Sequence, residues 1–171
     1  MVATPQSLKC LTRAEAGKRA AACRQQGQTV VFTNGCFDLL HAGHVRYLQS
    51  ARTAGDVLFV GLNSDVSVQA IKDPGRPLNG QDHRSAVLAG LACVDVIILF
   101  DEPDPLKLIE SIAPDVLVKG ADWPETAIIG ADFVKARGGR VLRVALEPEL
   151  STTALIQRIL ERYGKAGVPT S

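Results

Sequence analysis

His41-Ala42-Gly43-His44 sets two of the chain's three histidines three residues apart, within the segment NGCFDLLHAGHVRYL at residues 34–48. Upstream, QTVVFTNG (28–35) is a short apolar run ending in Asn-Gly, which reads as a buried strand. Downstream, residues 44–53 read as a helix ending before Gly55. The histidines therefore stand where a strand hands over to a helix. At such a place unpaired backbone N–H groups and the helix dipole favour an anion. Gly43 removes a side chain there, so a ligand can come close to the backbone. Imidazole donors at a helix mouth suit oxygens that gain negative charge while a phosphoryl centre is attacked. Two plainer readings compete. A histidine pair can be ordinary helix surface, but its place after the first strand argues otherwise. A zinc site needs a third protein ligand; His83 and several aspartates offer one, yet no HExxH-type signature is present. No GxGxxG and no Walker lysine follows the strand either.

Other polar clusters carry similar promise. Thr33, Asn34, Gly35 and Phe37 line the same turn, with backbone N–H groups as phosphate donors. Asp38 either structures the turn or faces a ligand. Lys72 and Arg76 bracket Asp73-Pro74-Gly75 in the loop KDPGRPLNGQDHR, the longest loop signal in the chain. Arg84 opens a helix, where a cation opposes the dipole, and that misplacement favours a ligand role. His83 reads as surface. Lys119-Gly120-Ala121-Asp122-Trp123 closes a strand: the lysine needs an anion there, either Asp122 or a ligand phosphate. Trp123, the sole tryptophan, stacks on a base, covers a sugar or packs beneath a loop. Ser151-Thr152-Thr153 precede the last helix, where hydroxyls and free N–H groups suit a phosphate.

The elements that must position these groups alternate. Helices are expected at 12–26 (Thr12 as cap and Glu15 completing a capping box), 44–53, 65–71, 82–92, 105–112, 130–138 and 151–163. Ser64 or Asp65 caps the third of them. Strands are expected at 28–35, 56–63, 94–100, 115–120 and 140–146. Continuous apolar strands between helices indicate a Rossmann-like doubly wound α/β fold, a five-stranded parallel sheet with helices on both faces. Ligands in such sheets bind beyond the carboxyl ends of the strands. The clusters at 34–44, 63–65, 119–123 and 147–153 all fall at such ends.

Composition narrows the class. The 171 residues favour one domain, with loose termini at 1–8 and 164–171, and 46% hydrophobic content supports a core. Nineteen Lys plus Arg against 18 Asp plus Glu argues against a nucleic-acid binder. No apolar stretch is long enough to span a membrane and no secretory signal is evident. The four cysteines form no CxxC, which suits reduced thiols in a cytoplasmic protein.

His41-Ala42-Gly43-His44 matches the HxGH motif of the nucleotidyltransferase superfamily. The surrounding GCFDLLHAGHVRYL resembles its cytidylyltransferase-like branch, which includes glycerol-3-phosphate cytidylyltransferases. From residue 11 to 160, LTRAEAGKRAAACRQQGQTVVFTNGCFDLLHAGHVRYLQSAR, GLNSDVSVQAIKDPGRPLNGQDHR, PDVLVKGADW and ELSTTALIQRI are similar to the adenylyltransferases of ADP-heptose biosynthesis. Many of those are fused to a sugar kinase; this chain resembles the stand-alone form. The resemblance implies transfer of AMP from ATP to D-glycero-β-D-manno-heptose 1-phosphate, with Mg²⁺, giving ADP-heptose for lipopolysaccharide core precursors and pyrophosphate. It implies His41, His44, Lys72 and Arg84 as catalytic residues. Nucleotide contacts are implied at Thr33, Asn34, Gly35, Phe37, Gly43, Arg76, Lys119, Asp122, Trp123, Ser151, Thr152 and Thr153. Asn63 and Asp65 are expected on heptose hydroxyls, and no protein metal site is expected. Lys72 and Arg76 would belong to a basic loop folding over phosphates. A homodimer is the expected assembly, with neither nucleic acid nor membrane as partner. Two departures stand out. The superfamily's arginine or lysine three residues after the motif threonine is here Ile156, and the nearest base is Arg158. The arginine that glycerol-3-phosphate cytidylyltransferases carry before their Ser-Thr is replaced by the acidic LEPEL. The alternatives are such a CTP-using enzyme, a nucleotide-binding module without turnover and, remotely, a zinc hydrolase.

Overall fold

In the computed structural model the described residues are 8–72, 75–145 and 151–164. The first helix, α1 (Arg13–Gln25), opens with the expected capping box: the Thr12 hydroxyl accepts from the Glu15 N–H, and the Glu15 carboxylate accepts from the Thr12 N–H. The chain then alternates β1 (Val30–Gly35), α2 (Ala42–Arg52), β2 (Val57–Asn63), α3 (Asp65–Ile71), α4 (Gln81–Ala89), β3 (Val96–Phe100), α5 (Leu106–Ile112), β4 (Val116–Gly120), α6 (Ala131–Ala136), β5 (Arg140–Val144) and α7 (Thr152–Tyr163).

All five strands are parallel, in the order β3-β2-β1-β4-β5. The chain winds outward from β1 through β2 to β3, then crosses back to lay β4 on the other side of β1. The order reverses between β1 and β4, and that is where a doubly wound sheet opens a crevice. Alternate residues of each strand feed two cores. Val30, Phe32, Phe59, Ile98 and Leu117 pack with α1, α5 and α6 on one face. Val31, Leu58, Val60, Ile97 and Val118 pack with α2 and α4 on the other. The edge of β3 is partly covered: Cys10 bridges to Ile97, and the Leu11 N–H donates to the Ile97 carbonyl.

Several boundaries differ from the expectation. Helix α2 starts at Ala42 rather than residue 44, because His41 takes the extended cap position (φ −136°, ψ 172°). Helix α4 stops at Ala89, at Gly90, short of residue 92. Strand β3 starts at Val96, since the Asp95 carboxylate itself accepts from the Leu58 N–H. Helix α6 is confined between Gly130 and Gly138, both at positive φ.

Candidate active site

The carboxyl ends of β1 and β4 open into a cavity of about 630 Å³. The turn after β1 sets its floor. Phe37 is held at φ +46°, and its ring folds back over Gly35, where a Cβ would lie 3.1 Å from the ring. That fold-back explains why glycine occupies the position. The Phe37 ring then meets His44 edge-on at 5.4 Å, and His44 stacks on His41 with centroids 3.9 Å apart and planes 28° from parallel. The Nδ1 atoms of both histidines are buried and, among the described residues, have no hydrogen-bond partner. Burial, followed by the neighbouring His41, pushes the His44 imidazole down to about 4. Burial lowers His41 as well. Both rings are neutral near pH 7, each keeping one N–H to donate.

Cations and donors surround the pair. Lys119, at the end of β4, donates from Nζ to Asn34 Oδ1 across the β1–β4 crevice. Burial draws its pKa down to about 8, opposed by the charge of Asp122. Of the two anions considered for Lys119, Asp122 acts only through its field; the hydrogen bond goes to Asn34. Lys72, Arg76 and Asn63 also line the cavity. Ser151 caps α7, its hydroxyl accepting from the Ala154 N–H at 3.0 Å, and Thr152 and Thr153 line the cavity beside it. Trp123 stands at the rim, 52% exposed, so it does not pack beneath a loop. Gly43 also lines the cavity.

Three expected residues lie elsewhere. Thr33 is fully buried, its hydroxyl 2.7 Å from the Tyr47 hydroxyl, because its position on β1 faces the core. Arg84 does not face a ligand. Its side chain is wholly buried and donates to the carbonyls of Asn79, Cys36 and Asn63 and to the Asp65 carboxylate. Its place on the first turn of α4 is met by that carboxylate. Asp65 is turned away with it, onto a shallow depression beside Gln81 and His83. It is the first residue of α3, and Ser64 is the cap. Asp38 proves structural: its carboxylate accepts from Arg76 Nε at 2.6 Å and from the Leu78 and Asn79 N–H groups. Burial alone would raise its pKa, but these donors hold it below the usual range.

Sequence reading missed part of the wall. Cys36 and Tyr47 contribute from the histidine turn and α2, and Pro103, Pro105, Ile128 and Ile129 form an apolar side. The prolines follow the end of β3, so the strand-end rule alone could have flagged them. Ile128 and Ile129 lie between β4 and α6 and gave no signal. Asp73, Pro74 and the acidic segment 146–150 lie outside the described residues. Among the described residues, no three His, Cys, Asp or Glu side chains converge as a metal site.

Known proteins resemble this arrangement in sequence and in fold. The bifunctional protein HldE of Syntrophotalea carbinolica is 53% identical over 140 residues, covering 82% of this chain and 29% of that protein. HldE of Magnetococcus marinus is 51% identical over 154 residues, 90% of this chain and 32% of that protein. The chain thus spans about a third of the length of the curated relatives it matches. The crystal structure of the lipopolysaccharide core biosynthesis protein from Thermoplasma volcanium superposes with a TM-score of 0.58 at 29% identity, over 71% of this chain and 98% of that one. The cytidylyltransferase-like family model matches residues 32–163, which include most of β1, all of β2 to β5 and the HxGH turn, and the chain belongs to that family.

Proposed function

We propose that this protein transfers AMP from ATP to D-glycero-β-D-manno-heptose 1-phosphate, releasing pyrophosphate and forming ADP-heptose for lipopolysaccharide core precursors. The observation that carries the reading is the stacked, neutral His41–His44 pair at the mouth of α2, facing one cavity with Lys72, Arg76 and Lys119. The likeness to HldE and to a lipopolysaccharide core biosynthesis protein supports the choice of substrate.

A sugar phosphate is already a competent nucleophile at neutral pH, so no general base is needed. One of its oxygens attacks the α-phosphorus of ATP in line. The new P–O bond forms as the bond to the β-phosphate oxygen breaks, and pyrophosphate leaves with its electron pair. Catalysis then consists of alignment and charge neutralisation. In this reading His41 and His44 donate to the phosphate oxygens that gain charge. Lys72, Arg76 and Lys119 neutralise the polyphosphate, and the start of α7 with Thr152 and Thr153 receives the β- and γ-phosphates. Asn34, Gly35, Phe37 and Gly43 shape the nucleotide side, Trp123 covers the base, and Asn63 meets the sugar. Arg84 and Asp65 act from behind the wall. Among the described lining residues, Asp122 is the carboxylate left once Asp38 is committed to its loop, and it would help hold Mg²⁺, which would supply further charge neutralisation. A reaction that consumes ATP fits a cytoplasmic protein, and the reading includes that localisation. Among the described residues no helix is long and apolar enough to cross a membrane.

The reading includes a homodimer. The apolar stripe of α7 continues past Ile156 to Ile159, Leu160 and Tyr163, which are 45%, 62% and 43% exposed. Two copies of α7 paired antiparallel about Ile159 and Leu160 would set Ile156 against the partner's Tyr163. Arg158 would then face the partner's Glu161.

Pyrophosphate release with Mg²⁺ tests the assignment, with ATP or CTP paired with heptose 1-phosphate or glycerol 3-phosphate. Release confined to ATP with the heptose phosphate is expected. Release with CTP and glycerol 3-phosphate would move the protein to the neighbouring branch, and ATP binding without release with any acceptor would make it a binding module.

A further inference from the structure

The Asp38 carboxylate is fully buried, yet it arises from the same turn as the histidines. A buried charge persists only when its lone pairs are met by donors. Here those donors come from one short segment of the opposite loop. Leu78 and Asn79 present consecutive backbone N–H groups at 2.8–2.9 Å, and Arg76 adds Nε at 2.6 Å. The Asn79 side chain returns a hydrogen bond to the Asp38 carbonyl at 3.1 Å. Arg84 closes the far side, donating to the Asn79 carbonyl and to the Cys36 carbonyl two residues before Asp38. The loop that carries Arg76 is thus bolted to the turn that carries the histidines.

The contact to Arg76 has a direction. Asp38 holds it edge-on at Nε, and among the described residues neither Nη atom has a hydrogen-bond partner. Arg76 lines the cavity, with only 14% of its side chain exposed. A guanidinium held this way presents its terminal fork, which matches two oxygens of a phosphate.

We infer that Asp38 is a positioning residue: from within the histidine turn it fixes residues 76–79 and aims the Arg76 fork at the nucleotide phosphates. The inference rests on the proposed reading of the cavity as a nucleotide site. It gives the histidines and the basic loop one rigid frame, so the two grips form together.

A double-mutant cycle with Asp38→Asn and Arg76→Gln tests it. Mg²⁺–ATP affinity is read from the fluorescence of Trp123, and amide exchange is followed at Leu78 and Asn79. Each single change is expected to weaken ATP binding about tenfold, and the double change to weaken it no further than about twofold beyond Arg76→Gln. Exchange at Leu78 and Asn79 should quicken in Asp38→Asn while the amides of β1 and β2 hold. Equal losses from Asp38→Asn in both backgrounds, or unchanged exchange, would overturn the positioning role alone. Wild-type protein that binds no ATP would overturn the reading of the cavity and the purpose of the clamp with it. Should Asp38→Asn fail to fold, Arg76→Lys decides: it keeps the charge but has no Nε to be held. Loss of ATP affinity matching Arg76→Gln supports the aimed fork, and wild-type affinity refutes it.

Discussion

At the scale of single residues, burial sets the protonation states of the site. His44 is held neutral by burial and by His41, with its pKa near 4 in the folded chain. In the unfolded chain it returns to the ordinary value of 6.5. Between those values the unfolded state binds the extra proton, so the contribution of His44 to stability is intact above about pH 6.5 and is lost as pH falls toward 4. His41 shifts in the same direction. Replacing His44 by Gln removes this titration. The urea midpoint of wild type should therefore drop more between about pH 7 and about pH 5 than that of His44→Gln; parallel drops would mean the imidazole is not buried in solution. A bound polyphosphate would oppose the burial term and raise both pKa values, so ATP should flatten the same dependence. Lys119 shows the matching economy for a cation: its charge is kept in a crevice where burial disfavours it, and an anionic ligand relieves that cost.

At the scale of elements, Arg84 knits the site's supports together. One buried guanidinium joins the end of β1 at Cys36, the end of β2 at Asn63, the start of α3 at Asp65 and the loop at Asn79. Truncation strands three carbonyls and a carboxylate. Arg84→Ala should destabilise the fold by roughly 2–4 kcal/mol, because it leaves carbonyls unmet behind the wall, while the Asp65 carboxylate, 35% exposed, can turn to water. Arg84→Lys should recover only part, since an ammonium cannot span four acceptors in a plane. Chemical denaturation measures both; a loss within the range of surface substitutions would show that the guanidinium is dispensable. This role was not legible in the sequence. Three of the four acceptors of Arg84 lie 19 to 48 residues away along the chain, and three of the four are backbone carbonyls, which leave no mark in residue type. Asp38 is half legible, since an aspartate in a turn suits a structural role, but its partners 38 to 41 residues away depend on how the loop returns. The elements themselves were readable because each buried strand is a continuous apolar run and most helices carry a cap or a terminating glycine. Thr33 misled for a related reason: its neighbours Asn34 and Gly35 lie past the core, and one step of strand alternation reverses the face.

At the scale of the whole molecule, strand order does most to assemble the site. Reversal between β1 and β4 brings Asn34 against Lys119, 85 residues apart, and opens the cavity between them. Helix α7 extends the same logic outward: its first residues line the cavity, while Ile159, Leu160 and Tyr163 lie on a face that the described chain leaves exposed. Leu160→Glu should convert a dimer to a monomer in sedimentation equilibrium and make the thermal midpoint independent of protein concentration, whereas the wild-type midpoint should rise with concentration. A wild-type chain that sediments as a monomer would rule the pairing out.

In the proposed reaction the stacked histidines stabilise charge on an attacked α-phosphate. Steady-state pyrophosphate release from Mg²⁺–ATP and heptose 1-phosphate, measured for wild type and His41→Ala, tests it most directly. Wild type should turn over, and the variant should show a kcat lower by about 10²–10³, the loss typical of one transition-state donor. Equal kcat in the two proteins, or no release by wild type, would contradict it.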